Sequence, residues 1–132
     1  MQTTRRRILY LDEDEERSFI LATRLRLENY DTVTTEFASD ALELARSEPF
    51  DLYLLSKRFP VESGAYLCQK LSELTPETPI IFFTNSSDGL HEQEVIRTGA
   101  REHVVETGDL KELLMVIKHL LSEKKELALA TA

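Results

Sequence analysis

The sequence predicts an α/β fold, a doubly wound parallel sheet with helices on both faces. Three observations lead there. Short apolar runs alternate with helix-forming stretches along the 132 residues, and parallel strands need crossovers of that kind. The runs are continuous rather than alternating, as strands buried on both faces require. The length, with 42% hydrophobic residues, suits one domain with its own core.

Ile8-Leu9-Tyr10-Leu11 is the first such run. From about Asp14 to Asn29 helix formers dominate, and Ile20, Leu21, Leu25 and Leu27 mark an apolar side. Thr32 to Thr35 is β-branched and half polar, the pattern of an edge strand. Ala38, Ala41, Leu42 and Ala45 recur at helical spacing until Pro49. Leu52 to Leu55 is the third strand; from Gly64, Leu67, Leu71 and Leu74 share a helix face that Pro76 and Pro79 close. Ile80 to Phe83 is the fourth strand, Leu90 to Arg97 a short helix closed by Gly99, and His103 to Val105 a fifth strand. Leu110, Leu113, Leu114, Ile117, Leu120 and Leu121 form the strongest amphipathic pattern. The domain is expected over residues 1–121, with 122–132 extending the last helix or opening a linker.

The formal net charge of -8 works against binding to nucleic-acid phosphates and anionic membranes. Arg5, Arg6 and Arg7 form the only dense basic run and are expected to be a solvated lead-in to the first strand. A lone cysteine, Cys68, excludes an internal disulfide, fits a reducing compartment and is expected to pack in the core. With no apolar run near the ~20 residues of a membrane span and no signal-peptide pattern, a cytoplasmic location is expected. His91, His103 and His119 lack metal-ligand spacing.

In a parallel sheet the site lies beyond the carboxyl ends of the strands. The residues there are Asp12, Glu13 and Asp14 after the first strand, Ser56 after the third, Thr84 after the fourth and Glu106 after the fifth. Asp12-Glu13 resembles the acidic pair that follows the first strand of bacterial response-regulator receiver domains. Asp51 to Gly64, with Pro60 and Gly64 at the usual offsets, resembles that family's third strand and following loop. Pro79 to Thr84 resembles its fourth strand, ending in a switch threonine, and Gly99 to Val105 the approach to its fifth. The resemblance covers roughly residues 7 to 121. It implies a flavodoxin-like five-stranded sheet of order 2-1-3-4-5.

The resemblance also implies a degenerate pocket. The family accepts a phosphoryl group on an aspartate where this chain has Ser56. It has a lysine where this chain has Glu106, a cis-proline where it has Thr107, and an aromatic switch partner where it has His103. A serine hydroxyl without an adjacent base is a poor nucleophile and forms no acyl phosphate. A trans bond is expected before Thr107, since a cis non-proline bond costs roughly 2.5–4 kcal/mol. Asp12, Glu13 and Glu106 would cluster three carboxylates with no ammonium, so Lys57, Arg58 or a bound metal is expected to supply the counter-charge. Asp12, Glu13 and Arg58 make a weak Mg²⁺ site at best. Asp14, Glu15 and Glu16 read as favourable charge at a helix N-terminus, and Thr84 as a strand-end cap or a pocket hydrogen-bonding group.

Two functions of different class follow. The first is a receiver-like, non-enzymatic signalling module that binds protein without a phosphorylation switch. Its partner would be a kinase, an output domain or a second receiver, a homodimer being allowed. The family's usual partner face would include Leu90, Arg97, His103, Lys111, Met115, Lys118 and His119 here. The second is a phosphatase resembling the haloacid-dehalogenase type, with Asp12 as nucleophile and Asp14 as acid/base. Of that family's downstream acidic pair only Gly108-Asp109 remains.

Overall fold

The computed structural model of the chain describes residues 5–56, 61–85, 102–106 and 110–131, with side chains described for 5–56, 66–83 and 110–122. The strands are β1 (Arg7–Leu11), β2 (Asp31–Thr35), β3 (Leu52–Ser56), β4 (Ile80–Asn85) and β5 (Glu102–Glu106). The helices are α1 (Glu15–Leu27), α2 (Ala38–Ser47), α3 (Val61–Leu74) and α4 (Leu110–Thr131). All pairings are parallel and the strand order is β2-β1-β3-β4-β5. Leu9 lies in register between Val33 of β2 and Tyr53 of β3.

The period of two along each strand divides the core into two layers. Ile8, Tyr10, Leu52, Leu54, Ile81 and Phe83 pack with Leu21, Leu25 of α1 and Leu113, Ile117, Leu120 of α4. Leu9, Leu11, Tyr53, Leu55, Ile80 and Phe82 pack on the other side with Ala41 and Ala45 of α2 and Leu67, Cys68 and Leu71 of α3. Helices thus cover both faces, as the alternation predicts, and the continuous apolar runs are the buried strands. Cys68 is fully buried, in keeping with a packing role.

Three local expectations need correction. On α1, Ile20 and Leu27 are exposed, while the buried stripe is Leu21, Ala22 and Leu25. At about 100° per residue Ile20 and Leu27 fall on the far side of the helix from that stripe. Helix α3 starts at Val61, about a turn before Gly64, and Leu74 at its end is exposed. Arg6 and Arg7 are not merely solvated. Arg7 donates to Asp31 Oδ2 at 2.9 Å, to Glu48 Oε1 at 2.8 Å and to the Pro49 carbonyl at 3.1 Å. Its guanidinium also stacks 4.7 Å over Phe50, and Arg6 lies 3.6 Å from Asp51. This cluster ties the amino ends of β1, β2 and β3 together, and the hydrogen bond to Glu48, then that to Asp31, raises the Arg7 pKa.

Helix α1 is bounded at both ends. Asp14 is its N-cap, its carboxylate accepting the Arg17 amide. At the other end Asn29 takes a positive φ of 73°, Tyr30 N–H bonds the Leu25 carbonyl and Asn29 N–H the Arg26 carbonyl. That is a Schellman motif with asparagine in the left-handed position. Helix α4 continues past the buried Leu121 to Thr131. Among the described residues no helix is long and apolar enough to cross a membrane. The predicted helix Leu90–Arg97, with His91 and Gly99, and Lys57, Arg58, Thr107, Gly108 and Asp109 lie outside the described residues.

Candidate functional site

Parallel strands bring their carboxyl ends to one edge of the sheet. The face that buries Tyr10, Leu54 and Phe83 under α1 continues at that edge into Asp12, two residues beyond Tyr10, and Ser56, two beyond Leu54. Both are buried. Asp14 then starts α1, and Arg17 falls in its first turn. Side chains on a helix lean toward its N-terminus, so a long residue there reaches back over the β1–α1 junction. Arg17 does so and lies across the pocket.

Its Nε donates to Asp12 Oδ2 at 2.8 Å and one terminal nitrogen to Oδ1 at 3.1 Å, a two-point grip. That same nitrogen reaches Ser56 Oγ at 3.1 Å. The guanidinium carbon is 5.9 Å from the centre of the Phe83 ring. Asp12 also accepts the Tyr10 hydroxyl on Oδ2 at 2.5 Å and the Asp14 amide on Oδ1 at 2.9 Å. Each carboxylate oxygen therefore holds two donors, which fills its acceptor capacity. Tyr10 packs against Phe83 with centroids 6.3 Å apart. Burial, then the bond to Asp12 and its negative charge, push the Tyr10 phenol well above its ordinary pKa.

These contacts decide what the pocket does chemically. Asp12 is fully buried while the Arg17 side chain keeps 19% exposure, so the carboxylate's desolvation is offset by four donors, two of them from one permanent cation. Arginine cannot act as a base. Among the described residues the side chain bonded to Ser56 Oγ is a guanidinium, which removes no proton. Its burial also argues against access by a serine kinase.

The predicted site residues part company here. Asp12 and Ser56 come together through Arg17. Glu13 is exposed. Asp14 caps α1, as the helix-terminus reading has it, and this gives no support to an acid/base role in a phosphatase. Thr84 pairs with Val105 and Glu106 with Asn85 in the β4–β5 ladder; their side chains, and that of His103, are outside the described set. Of the expected partner face, Lys111, Met115, Lys118 and His119 are exposed on α4, and Leu90 and Arg97 are outside the described residues. Arg17 supplies a counter-charge to Asp12, the role expected of Lys57, Arg58 or a metal.

Sequence reasoning passed over Tyr10, Arg17 and Phe83. Tyr10 and Phe83 are hidden inside apolar runs. Arg17 did carry a signal. It is a cation in the first turn of a helix, where the macrodipole disfavours positive charge, and it follows Asp14, Glu15 and Glu16. A residue so placed needs a specific anionic partner.

A parallel sheet of order β2-β1-β3-β4-β5, helices on both faces and an acidic residue at the carboxyl end of β1 define a class. The sequence profile of the response regulator receiver domain matches residues 8–118, and the chain belongs to that family. It is 29% identical over 119 residues to the response regulator ArlR of Staphylococcus aureus strain Mu50, covering 90% of this chain and 54% of that protein. The chain thus spans about half the length of the curated relatives it matches. Among solved structures, a CheY-like receiver domain protein from Methanospirillum hungatei JF-1 shares the fold with a TM-score of 0.83 at 24% identity, covering 93% of this chain and 98% of that one. The Thermotoga maritima response regulator TrrA, solved in complex with Mg(2+)-BeF, superposes with a TM-score of 0.78 at 26% identity, covering 87% and 98%.

Proposed function

We propose that this receiver domain is a signalling module that binds protein without accepting a phosphoryl group, and that it has no enzymatic activity of its own. The observation that carries the reading is Arg17, whose guanidinium bridges Asp12 and Ser56 across the pocket. In a working receiver that space would have to admit a metal, an acceptor carboxylate and a phosphoryl group. Here a hydroxyl stands at the acceptor position and a fixed cation lies against it.

Mg²⁺ does not fit this donor set. It takes near-octahedral oxygen ligands, yet Asp12 has both oxygens engaged twice over. Binding would first have to expel Arg17 and leave that cation without its carboxylate partner. TrrA is described with Mg(2+)-BeF; in this chain the positive charge at the sheet edge is built into α1. A pocket filled by its own side chain has no ligand to distinguish two states, so a single resting conformation is the expected behaviour.

Incubation with acetyl phosphate and Mg²⁺, followed by intact mass, tests the proposal. The mass should remain that of the unmodified chain. A stoichiometric, hydroxylamine-labile phosphoryl adduct would overturn it.

A further inference from the structure

The sheet edge at β2 carries a second concave surface, on a different side of α1 from Arg17. A groove of about 480 Å³ runs between α1, the end of β2 and the start of α2. Ala22 contributes to its lining, and Phe19 and Phe37 flank it, exposed by 71% and 61%. Glu15, Glu36 and Asp40 line it with carboxylates. Its basic member, Arg26, already donates to the Thr32 carbonyl at 3.0 Å. Two large aromatic side chains held this far into water beside three carboxylates are costly to a monomer, and such patches mark binding surfaces.

The complementary surface is on the same molecule, on the outward side of α4. Lys111, Met115 and Lys118 follow one another at i, i+4 and i+7, with His119 beside them, and all four are exposed. Met115 is 70% exposed, an apolar anchor between two lysines. Its unbranched, polarisable side chain suits contact with aromatic rings. Charge sign and apolar centre match the groove: lysines toward Glu15, Glu36 and Asp40, methionine toward Phe19 and Phe37.

We infer that the Phe19–Phe37 groove receives the Lys111–Met115–Lys118 stripe of a second copy of this chain. This names a partner for the binding module proposed above, and it uses surfaces apart from the Arg17 pocket, so either reading can fail alone. The contact joins two different patches, which makes it heterologous. The net charge of -8 opposes association at long range, but at physiological salt that repulsion is screened beyond about 8 Å while contacting pairs still act.

Sedimentation velocity of the full chain from micromolar to millimolar concentration tests this. The wild type should rise above its monomer mass of 15.2 kDa, less so as salt increases. Phe37→Ser, which damages the groove, and Met115→Ser, which damages the stripe, should each stay monomeric. Mixed in equal amounts, they should form a one-to-one complex of twice the monomer mass, because each retains the surface that the other lacks. A wild type that remains monomeric throughout, or a mixture that fails to associate when each variant alone has lost assembly, overturns the inference. Self-association that survives both substitutions also overturns it.

Discussion

Removing one partner of a buried ion pair costs far more than the pair itself is worth, because the remaining charge keeps its desolvation penalty. At Asp12, which is fully buried, that asymmetry should be large. Arg17→Ala is expected to lower unfolding free energy by about 3–5 kcal/mol in urea titrations at neutral pH. Arg17→Lys should recover only part of this, since an ammonium cannot make the two-point grip. A loss under 1 kcal/mol for the alanine variant would mean that water replaces the guanidinium without cost. Tyr10 gives a second residue-scale test. Its folded pKa is raised, so its contribution to stability is complete below the ordinary tyrosine pKa near 10 and declines as pH climbs above it. Above that pH the unfolded chain ionises Tyr10 and the folded chain does not. Wild-type stability should then fall more steeply than that of Tyr10→Phe, by up to about 1.4 kcal/mol per pH unit. Equal alkaline slopes for the two proteins would contradict the raised pKa.

Elements differed in how plainly the sequence announced them. The buried strands were readable because a strand covered on both faces needs an unbroken apolar run, and Ile8–Leu11 and Ile80–Phe83 are such runs. Helix α1 was readable as a helix but not in its facing. Ile20 and Leu27 are apolar on the solvent side, which blurs the stripe of Leu21, Ala22 and Leu25. The basic run at Arg6 and Arg7 was misread because its partners, Asp31, Glu48 and Asp51, are distant in sequence and meet only once three strand ends align. The start of α1 does have a local signature, and it links the element to the pocket. Asp14 caps the helix through the Arg17 amide while the Arg17 side chain reaches Asp12. Asp14→Ala should therefore cost about 0.5–2 kcal/mol of stability. Combined with Arg17→Ala it should be non-additive, since the two residues share one turn. Strict additivity in that cycle would uncouple the cap from the pocket.

At the scale of the whole molecule, family and site were legible to different depths. Motifs at strand ends and turns are local in sequence, so the receiver pattern is recognisable from Asp12-Glu13, Pro60, Gly64, Thr84 and their spacing. The occupant of the pocket could not. Arg17 is a helix residue, and only the packing of α1 on the sheet brings its side chain to both Asp12 and Ser56. The charge arithmetic at the strand ends thus omitted a cation contributed from outside them. The central claim is that this cation permanently occupies the place of the metal and phosphoryl group. The side-chain Nε–H resonance of Arg17, followed by NMR while Mg²⁺ and beryllofluoride are added to the full chain, tests it most directly. The account predicts that this resonance, and the amides of Asp12, Asp14 and Ser56, do not move. A saturable shift of the Arg17 resonance toward that of a solvent-exposed arginine, with Asp12 shifting in step, would show that the metal displaces it and would contradict the account.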